Sequence, residues 1–305
     1  MKTSLDHLPR RKQTELKRFV DVLFAEFDDM LKLATSQQKK RGRILKIILY
    51  GSYARGDWVE DRASGYMSDY DLLVIVNQRQ LVDKAECWEK ADDWFASRRS
   101  PETQVHFFVE TLHEVNDKLA QGYYFFTDIK KEGIALYELK GHTLAEPKLL
   151  TPKAAHGMAR HYFEERLPYA KYHCELANKA VSDQQLKHAA FELHQAVEHA
   201  YAALLLTFTL YSPADHNIKF LRSLAEDIEP SLRNARPRDT RRARAWFELL
   251  KRAYVEARYS EHFKVTKDQL EWLADCAVKL HGLVERACRK RLASLVKAAE
   301  SGGKR

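Results

Sequence analysis

The sequence predicts two domains of different fold class: an α+β domain in residues 1–146 and an all-α helical bundle in residues 152–305. In the first half, short apolar runs rich in β-branched residues alternate with segments of helical periodicity, which is typical of a sheet flanked by helices. From residue 151 onward the apolar residues keep helical spacing throughout. Prolines bound the stretch between the halves, which indicates a linker near residues 146–152.

The net charge of +8 lies entirely in the second half. Residues 1–150 hold 24 Lys and Arg against 24 Asp and Glu, whereas residues 151–305 hold 27 against 19. The densest basic stretch, residues 233–258, carries nine Lys and Arg. Such a stretch can track an RNA backbone. It can equally be a solvated helix face or a dimer contact with the acidic stretch 57–61, and the sequence leaves these interpretations open.

The overall composition excludes several protein classes. With 305 residues, 45% hydrophobic and 31% charged, the chain has the composition of a soluble globular protein. We see no apolar run of membrane-spanning length and no signal-peptide core, so we expect a cytoplasmic protein without membrane contact. The four cysteines are scattered, which predicts reduced thiols rather than disulfides or a zinc site.

Apolar periodicity places the elements of the first domain in order. A basic polar loop, residues 37–43, precedes the first strand, and its simplest interpretation is a solvated loop rather than a phosphate attractor. We predict helices over residues 16–33 and 81–97, and strands over residues 44–50, 69–76, 104–110 and 134–138.

Two short motifs in this domain carry functional chemistry. The first strand stops at Gly51 and Ser52, and a glycine there lets backbone amides approach an anion such as a phosphate. Asp69 and Asp71 lie two residues apart in the second strand-like run, so both carboxylates face one side. Two aligned carboxylates beside a phosphate-binding turn suit a divalent metal that bridges a nucleoside triphosphate.

The ordered combination of strand, Gly-Ser, Ala-Arg-Gly, Ser-Asp-x-Asp and apolar strand resembles the nucleotidyltransferases of the DNA polymerase beta superfamily, most closely the minimal nucleotidyltransferase branch. The resemblance covers residues 16–140 and implies a mixed sheet flanked by helices. It implies that Mg²⁺ is held by Asp69 and Asp71, and that ATP or another nucleoside triphosphate is the substrate. The residues expected to contact the nucleotide are Gly51, Ser52, Arg55 and Ser68.

The chain departs from the family pattern in two places. Sixteen residues separate Ser52 from Asp69, more than is usual, so the insert 57–68 is expected to form a longer hairpin. The third strand normally supplies a third carboxylate, and here that position holds Gln104 or His106, with Glu110 further along the same face. His106 is our candidate to accept the proton of the attacking hydroxyl, because the unperturbed pKa of histidine is about 6.5.

The second half predicts a bundle of four to five helices with short loops. Pro168 must kink or split the first helix, and Asn217 is a plausible cap for the third. The expected helices cover residues 154–180, 184–211, 218–224, 238–259 and 267–297.

Three phrases of this half, residues 190–198, 212–217 and 253–259, resemble the HEPN domain (higher eukaryotes and prokaryotes nucleotide-binding). This bundle is frequently partnered with a minimal nucleotidyltransferase, and it commonly dimerises, so we expect a homodimer. Many HEPN domains are RNases that use an Arg followed after four to six residues by a His. Here Arg258 is followed after only three residues by His262, which resembles the non-nucleolytic branch.

Two functional hypotheses follow from the resemblances. The favoured one is an Mg²⁺-dependent enzyme that transfers AMP from ATP to a hydroxyl acceptor: a small molecule or a protein tyrosine, including one of its own, as in a toxin–antitoxin-like role. The alternative is a nucleotide-sensing, RNA-binding or RNA-cleaving HEPN protein whose transferase domain is weakly active or inactive. The missing third carboxylate favours the alternative, whereas the intact Gly-Ser and Asp-x-Asp motifs favour the enzyme.

Overall fold

The computed structural model describes residues 1–61, 66–83, 87–96 and 103–302. The chain divides between Leu149 and Leu150 into two compact units. The first unit contains a mixed four-stranded sheet with helices, and the described residues of the second unit form helices and connecting turns. This is the fold class that the sequence predicts.

The sheet of the first unit has the strand order β5-β4-β1-β6. The pair β4–β5 is parallel, whereas β1 runs antiparallel to both β4 and β6, so the sheet is mixed. The remaining two strands, β2 and β3, pair as a separate antiparallel hairpin within the insert. The strands are β1 (Ile44–Tyr50), β2 (Glu60–Asp61), β3 (Tyr66–Met67), β4 (Tyr70–Val76), β5 (Val105–Thr111) and β6 (Ile134–Glu138).

The two central strands are apolar over almost their whole length, because both of their faces are covered. Every residue of β1 and of β4 is buried, as expected for strands inside a layered domain. Lys46 is the charged member of β1, and it forms an ion pair with Glu138 on the neighbouring strand. Aromatic residues of α1 extend this core, since Phe19 packs edge-on against Tyr70.

Six helices accompany the described part of this sheet. They are α1 (Arg10–Leu33), α2 (Gln37–Lys40), α3 (Ser52–Arg55), α4 (Glu89–Ala96), α5 (Leu112–Ala120) and α6 (Tyr124–Glu132). The predicted loop over residues 37–43 is wrong at its start, where α2 forms one helical turn. The helix predicted over residues 81–97 is shorter in the described residues, because Leu81 belongs to a 3₁₀ turn, Arg79–Leu81, and α4 begins only at Glu89. Residues 84–86 and 97 lie outside the described residues.

The second unit is built around one central helix. Among the described residues it contains α7 (Pro152–Ser182), α8 (Leu186–Thr209), α9 (Ile218–Ile228), α10 (Arg241–Tyr259) and α11 (Lys267–Gly302), with a 3₁₀ segment, Pro230–Ala235. All four other helices pack on α8. Alanines along α7 and α8 are buried, and their small side chains let the helices approach closely. In the described part of the chain, we find no helix that is both long and apolar enough to cross a membrane.

Two local signals in this unit have clear outcomes. Asn217 caps α9 as predicted, because its side chain accepts hydrogen bonds from the N–H groups of Lys219 and Phe220. Pro168 lies inside α7 without splitting it. Pro168 and Glu164, whose carbonyl loses its helical partner, are both exposed, so water can satisfy that carbonyl.

Candidate functional site

The turn after β1 requires a glycine. Gly51 has φ 73° and ψ −155°, a backbone conformation that is essentially restricted to glycine. Ser52 then begins α3, and the helix ends after one turn at Gly56, whose φ is 95° and whose N–H donates to the Ser52 carbonyl over 2.8 Å. Ser52 itself is buried. The Gly-Ser motif therefore forms a tight, fixed turn at the end of a buried strand.

The strand register brings the two acidic residues beside this turn. Tyr50 of β1 pairs with Asp71 of β4, so the Gly51 turn continues alongside Asp69. Asp69 directly precedes β4 and Asp71 is its second residue, which places both carboxylates on the same side of the strand. Both are buried.

The third strand completes the constellation with a histidine. In the parallel pair β4–β5, Asp71 lies opposite His106. His106 Nε2 is 3.2 Å from Asp69 Oδ2. Gln104 is exposed, and its carbonyl accepts the N–H of Tyr70 over 2.8 Å. His106 therefore occupies the position that the sequence left open between these two residues.

Glu110 lies away from this constellation. It is paired in register with Ile75, near the opposite end of β4 from Asp71. Its Oε1 accepts a hydrogen bond from Lys118 Nζ over 3.1 Å, and burial raises the pKa of its carboxyl group. Glu110 is therefore separated from the two aspartates by the length of the strand.

Two further predicted nucleotide contacts have other partners in this structure. Arg55 Nε lies 3.2 Å from Asp57 Oδ2 at the surface. Ser68 exchanges two hydrogen bonds with Val59, donating its N–H to the Val59 carbonyl over 2.8 Å and accepting the Val59 N–H on its Oγ over 2.9 Å. Ser68 therefore ties the hairpin to the start of β4, immediately before Asp69.

Behind the site lies a buried polar network that our sequence analysis missed. Lys12 of α1 is only 3% exposed. Its Nζ donates to the hydroxyl of Tyr53 over 3.1 Å and to Thr103, and it pairs with Glu60. The hydroxyl of Tyr70 donates to Glu15 over 3.0 Å. The Lys12 cluster comprises Lys12, Glu15, Tyr53, Glu60, Tyr70 and Thr103.

The Lys12 cluster anchors both halves of the motif from the side opposite the carboxylates. Tyr53 directly follows Ser52, and Tyr70 stands between Asp69 and Asp71. Burial raises the pKa of both tyrosines above the ordinary value, so both remain neutral donors. The hydrogen bond from Lys12 lowers the pKa of Glu60. One network thus fixes the backbone on both sides of the site.

The donor set suits Mg²⁺ together with a nucleotide. Mg²⁺ is usually held by one or two carboxylates, with substrate phosphates and water completing its octahedron, and Asp69 and Asp71 are carboxylates of this kind. In residues 1–61, 66–83, 87–96 and 103–302 we find no group of three or more His, Cys, Asp or Glu side chains arranged to hold a metal ion. The oxygen ligands beyond the two aspartates would therefore come from the substrate and water.

In the second unit, the three HEPN-like phrases meet around Tyr254. The imidazole of His216 stacks on the Tyr254 ring, with 4.0 Å between ring centroids. The Arg258 guanidinium lies against two aromatic rings, 4.4 Å from the centroid of the Tyr254 ring and 4.8 Å from that of the Phe191 ring. His262 follows α10 in an exposed turn, where its N–H donates to Ser260 Oγ over 3.2 Å.

A partly buried carboxylate, that of Glu198, connects two histidines of this cluster. His216 Nδ1 is 3.1 Å from Glu198 Oε1, and His194 Nδ1 is 3.6 Å from Glu198 Oε2. Burial raises the pKa of Glu198. His194 is completely buried, and burial lowers its pKa to about 3. His194 therefore packs as a neutral core residue.

We expect His194 to make the protein less stable in acid. Its folded pKa of about 3 is below the unfolded value of 6.5, so the unfolded chain binds more protons between these values and stability falls as the pH drops. From about pH 7 to about pH 5 the loss is about 2 kcal/mol. Urea denaturation of His194→Gln, followed by circular dichroism, should show a smaller loss over this interval.

The exposed His188 on the same helix provides the matched control. His188→Gln should keep the acid sensitivity of the original protein. The raised pKa of Glu198 has the opposite effect, because the folded state binds the extra proton and gains stability as the pH falls. Glu198 is present in both variants, so this contribution does not distinguish them. Equal pH dependence in the two variants would contradict the assignment.

Comparison with known proteins agrees with the geometry of both units. A nucleotidyltransferase domain family matches residues 30–100, and a HEPN domain family matches residues 163–287. A protein of Methanocaldococcus jannaschii, named as a protein adenylyltransferase, is 54% identical over 39 residues, which are 13% of this chain and 33% of the relative. The chain thus spans about a third of that relative. The fusion predicted from the motifs is confirmed: this chain joins a nucleotidyltransferase domain to a C-terminal HEPN domain.

Proposed function

We propose that the protein is an Mg²⁺-dependent nucleotidyltransferase that transfers AMP from ATP to a hydroxyl acceptor. The observation that carries the proposal is the register of β1 and β4, which sets Asp69 and Asp71 side by side next to the Gly51 turn. The name of the M. jannaschii relative, a protein adenylyltransferase, supports AMP as the transferred group.

Each residue of the site has a different role in the proposed reaction. Bound Mg²⁺ would neutralise phosphate charge and align the attacking oxygen with the leaving pyrophosphate. Asp69 and Asp71 would hold the ion, and the glycine backbone at Gly51 leaves room for a phosphate to approach the turn. Arg55 lies at the end of α3, and exchanging Asp57 for the triphosphate would let its guanidinium neutralise further charge.

His106 is the proposed proton acceptor. A carboxylate can only accept a hydrogen bond, so the contact with Asp69 assigns the proton of the neutral imidazole to Nε2. Nδ1 is then the basic nitrogen of the ring. We propose that Nδ1 takes the proton of the attacking hydroxyl, while Asp69 holds the ring in place and stabilises the imidazolium that forms.

We propose a tyrosine of the protein itself as an acceptor, and Tyr259 as the first residue to examine. At 76% exposure it is the most accessible tyrosine in the described part of the chain. The Arg258 guanidinium lies 5.1 Å from its ring centroid, and a cation there favours an incoming phosphate. Tyr169 and Tyr172 are about half exposed and are the next candidates.

The direct test is incubation of the purified protein with ATP and Mg²⁺, followed by intact mass measurement and a pyrophosphate assay. We expect a mass gain of one AMP that disappears in Tyr259→Phe and persists in the matched control Tyr172→Phe. Pyrophosphate release without a mass gain would contradict self-modification and indicate a separate protein or small-molecule acceptor. If the original protein showed neither the mass gain nor pyrophosphate release, the proposed transferase activity would be wrong.

A second candidate function is RNA cleavage by the HEPN unit, with the first unit sensing nucleotide. Two observations favour it: His106 replaces the third carboxylate, and the His216–Glu198 pair lies beside Arg258 on one surface. Cleavage of RNA in the presence of EDTA should then be lost in Arg258→Gln and kept in Asp69→Asn/Asp71→Asn. If RNA cleavage were lost in Asp69→Asn/Asp71→Asn and kept in Arg258→Gln, this candidate would be rejected.

A further inference from the structure

Three arginines of the second unit surround one buried carboxylate. Glu226 of α9 is 1% exposed. Arg238 donates to Glu226 Oε1, and Arg222 Nε lies 3.9 Å from the same oxygen. Arg236 comes from the same short segment as Arg238, after the 3₁₀ turn. The arginine cluster is defined as Arg222, Arg236 and Arg238.

These guanidinium groups are largely removed from water. The side chains of Arg222 and Arg238 are each 13% exposed. Arg222 and Arg236 lie 4.7 and 3.9 Å from the ring centroid of Phe247. An aromatic face attracts a cation but provides no carboxylate or carbonyl oxygen for its N–H groups. The packing therefore holds the guanidinium planes in place without neutralising them.

Two of the arginines also have unused donors. The Nε atoms of Arg222 and Arg236 are buried and donate no hydrogen bond, which costs free energy in a protein interior. Burial, followed by repulsion from Arg222, lowers the pKa of Arg236 to about 9. The site thus concentrates positive charge that Glu226 offsets only in part.

A small cavity opens among these groups. Its volume is about 20 Å³. Arg236, Arg238 and Glu226 contribute to its lining, which is otherwise mostly apolar and includes Phe247 and Leu250, whereas Arg222 lies outside it. This space is about the size of one water molecule. The side chains of Arg222 and Arg238 each keep 13% of their surface exposed, and a phosphoryl group would approach the cluster through this exposed part.

We propose that the arginine cluster binds the phosphoryl group of a small phosphate monoester. Guanidinium forks match phosphate oxygens in pairs, and a phosphate dianion would offset the excess charge. A nucleic-acid backbone needs an open basic strip, whereas these arginines are enclosed, so a terminal phosphoryl group fits better. The site is independent of the nucleotidyl-transfer reaction, and it gives part of the basic stretch 233–258 a specific role.

The test is isothermal titration of the full-length protein with inorganic phosphate and, separately, with AMP. Measurements in Asp69→Asn/Asp71→Asn with EDTA present remove binding at the first unit. We expect Arg236→Gln to weaken phosphate binding about tenfold or more, because a charge-assisted hydrogen bond is lost. The exposed Arg241 of the same basic stretch is the matched control, and Arg241→Gln should bind as the parent does.

The outcomes separate a built site from diffuse attraction. Equal weakening in Arg236→Gln and Arg241→Gln would overturn the proposal, as would absence of binding at millimolar phosphate. Tighter binding of AMP than of phosphate would support the site and identify a nucleotide as its ligand, while equal affinities would support recognition of the phosphoryl group alone. Should Arg236→Gln fail to fold by circular dichroism, Arg222→Gln provides the same comparison.

Discussion

Replacing Asp69 and Asp71 together with asparagine is expected to lower the rate of nucleotidyl transfer by about 10³-fold or more. The amide keeps the size of the carboxylate but removes the negative charge that we propose holds Mg²⁺. Both side chains are buried, and β4 contains no acidic residue other than Asp71, so no neighbouring carboxylate of this strand can substitute. The measurement is pyrophosphate release under saturating ATP.

The control for this prediction is a surface aspartate of the same unit. Asp21 of α1 is exposed and pairs with Lys17, and Asp21→Asn should keep the full rate. Stability provides a second check, because asparagine removes repulsion between two buried like charges and should not lower the urea midpoint. A double variant that retained the rate would rule out catalysis by this pair of aspartates.

Replacing Lys12 with methionine is expected to lower the free energy of unfolding by about 3 kcal/mol, because the change removes the ammonium group of a buried lysine and leaves several hydrogen-bond partners without their donor. Methionine preserves most of the volume of the lysine chain. The partners affected, Tyr53, Glu60 and Thr103, lie on three separate segments of the first unit. Urea denaturation measures the loss, and we also expect a lower kcat because Tyr53 and Tyr70 set the position of the site.

Lys17 on the same helix offers a matched comparison. It is 77% exposed and pairs with Asp21 one turn later, a surface contact worth about 0.5 kcal/mol or less. Lys17→Met should therefore be nearly as stable as the original protein. If the two methionine variants had the same stability, the Lys12 cluster would have no role in holding the fold.

Local signals were sufficient to predict much of the first unit. The bounds of β1 and β6 were predicted correctly, because each is an apolar run that begins or ends at a glycine or a charged segment. The proximity of the Gly51 turn to Asp69 followed from the motif order. The cap at Asn217 was predictable for the same reason, since capping depends on residues that are neighbours in sequence.

Features that depend on distant residues were not predictable in this way. The choice between Gln104 and His106 required the register of β5 against β4, which nothing within either strand specifies. In the sequence, Lys12 and Glu15 resemble an ordinary solvated pair on a helix. Their burial depends on distant residues such as Thr103, which accepts a hydrogen bond from Lys12 in the folded chain. Continuity of α7 through Pro168 likewise depends on which side of the helix is exposed.

The central position of β1 has a consequence for the order in which the first unit is made. Its partner β4 follows within 30 residues, so the pair that carries the Gly-Ser and Asp-x-Asp motifs can form early. Its other partner, β6, pairs Ile134 with Leu49 across more than 80 residues. Until β6 emerges from the ribosome, one apolar edge of β1 has no strand to cover it. Fragments that end before residue 134 should therefore aggregate, because an uncovered edge pairs with other chains.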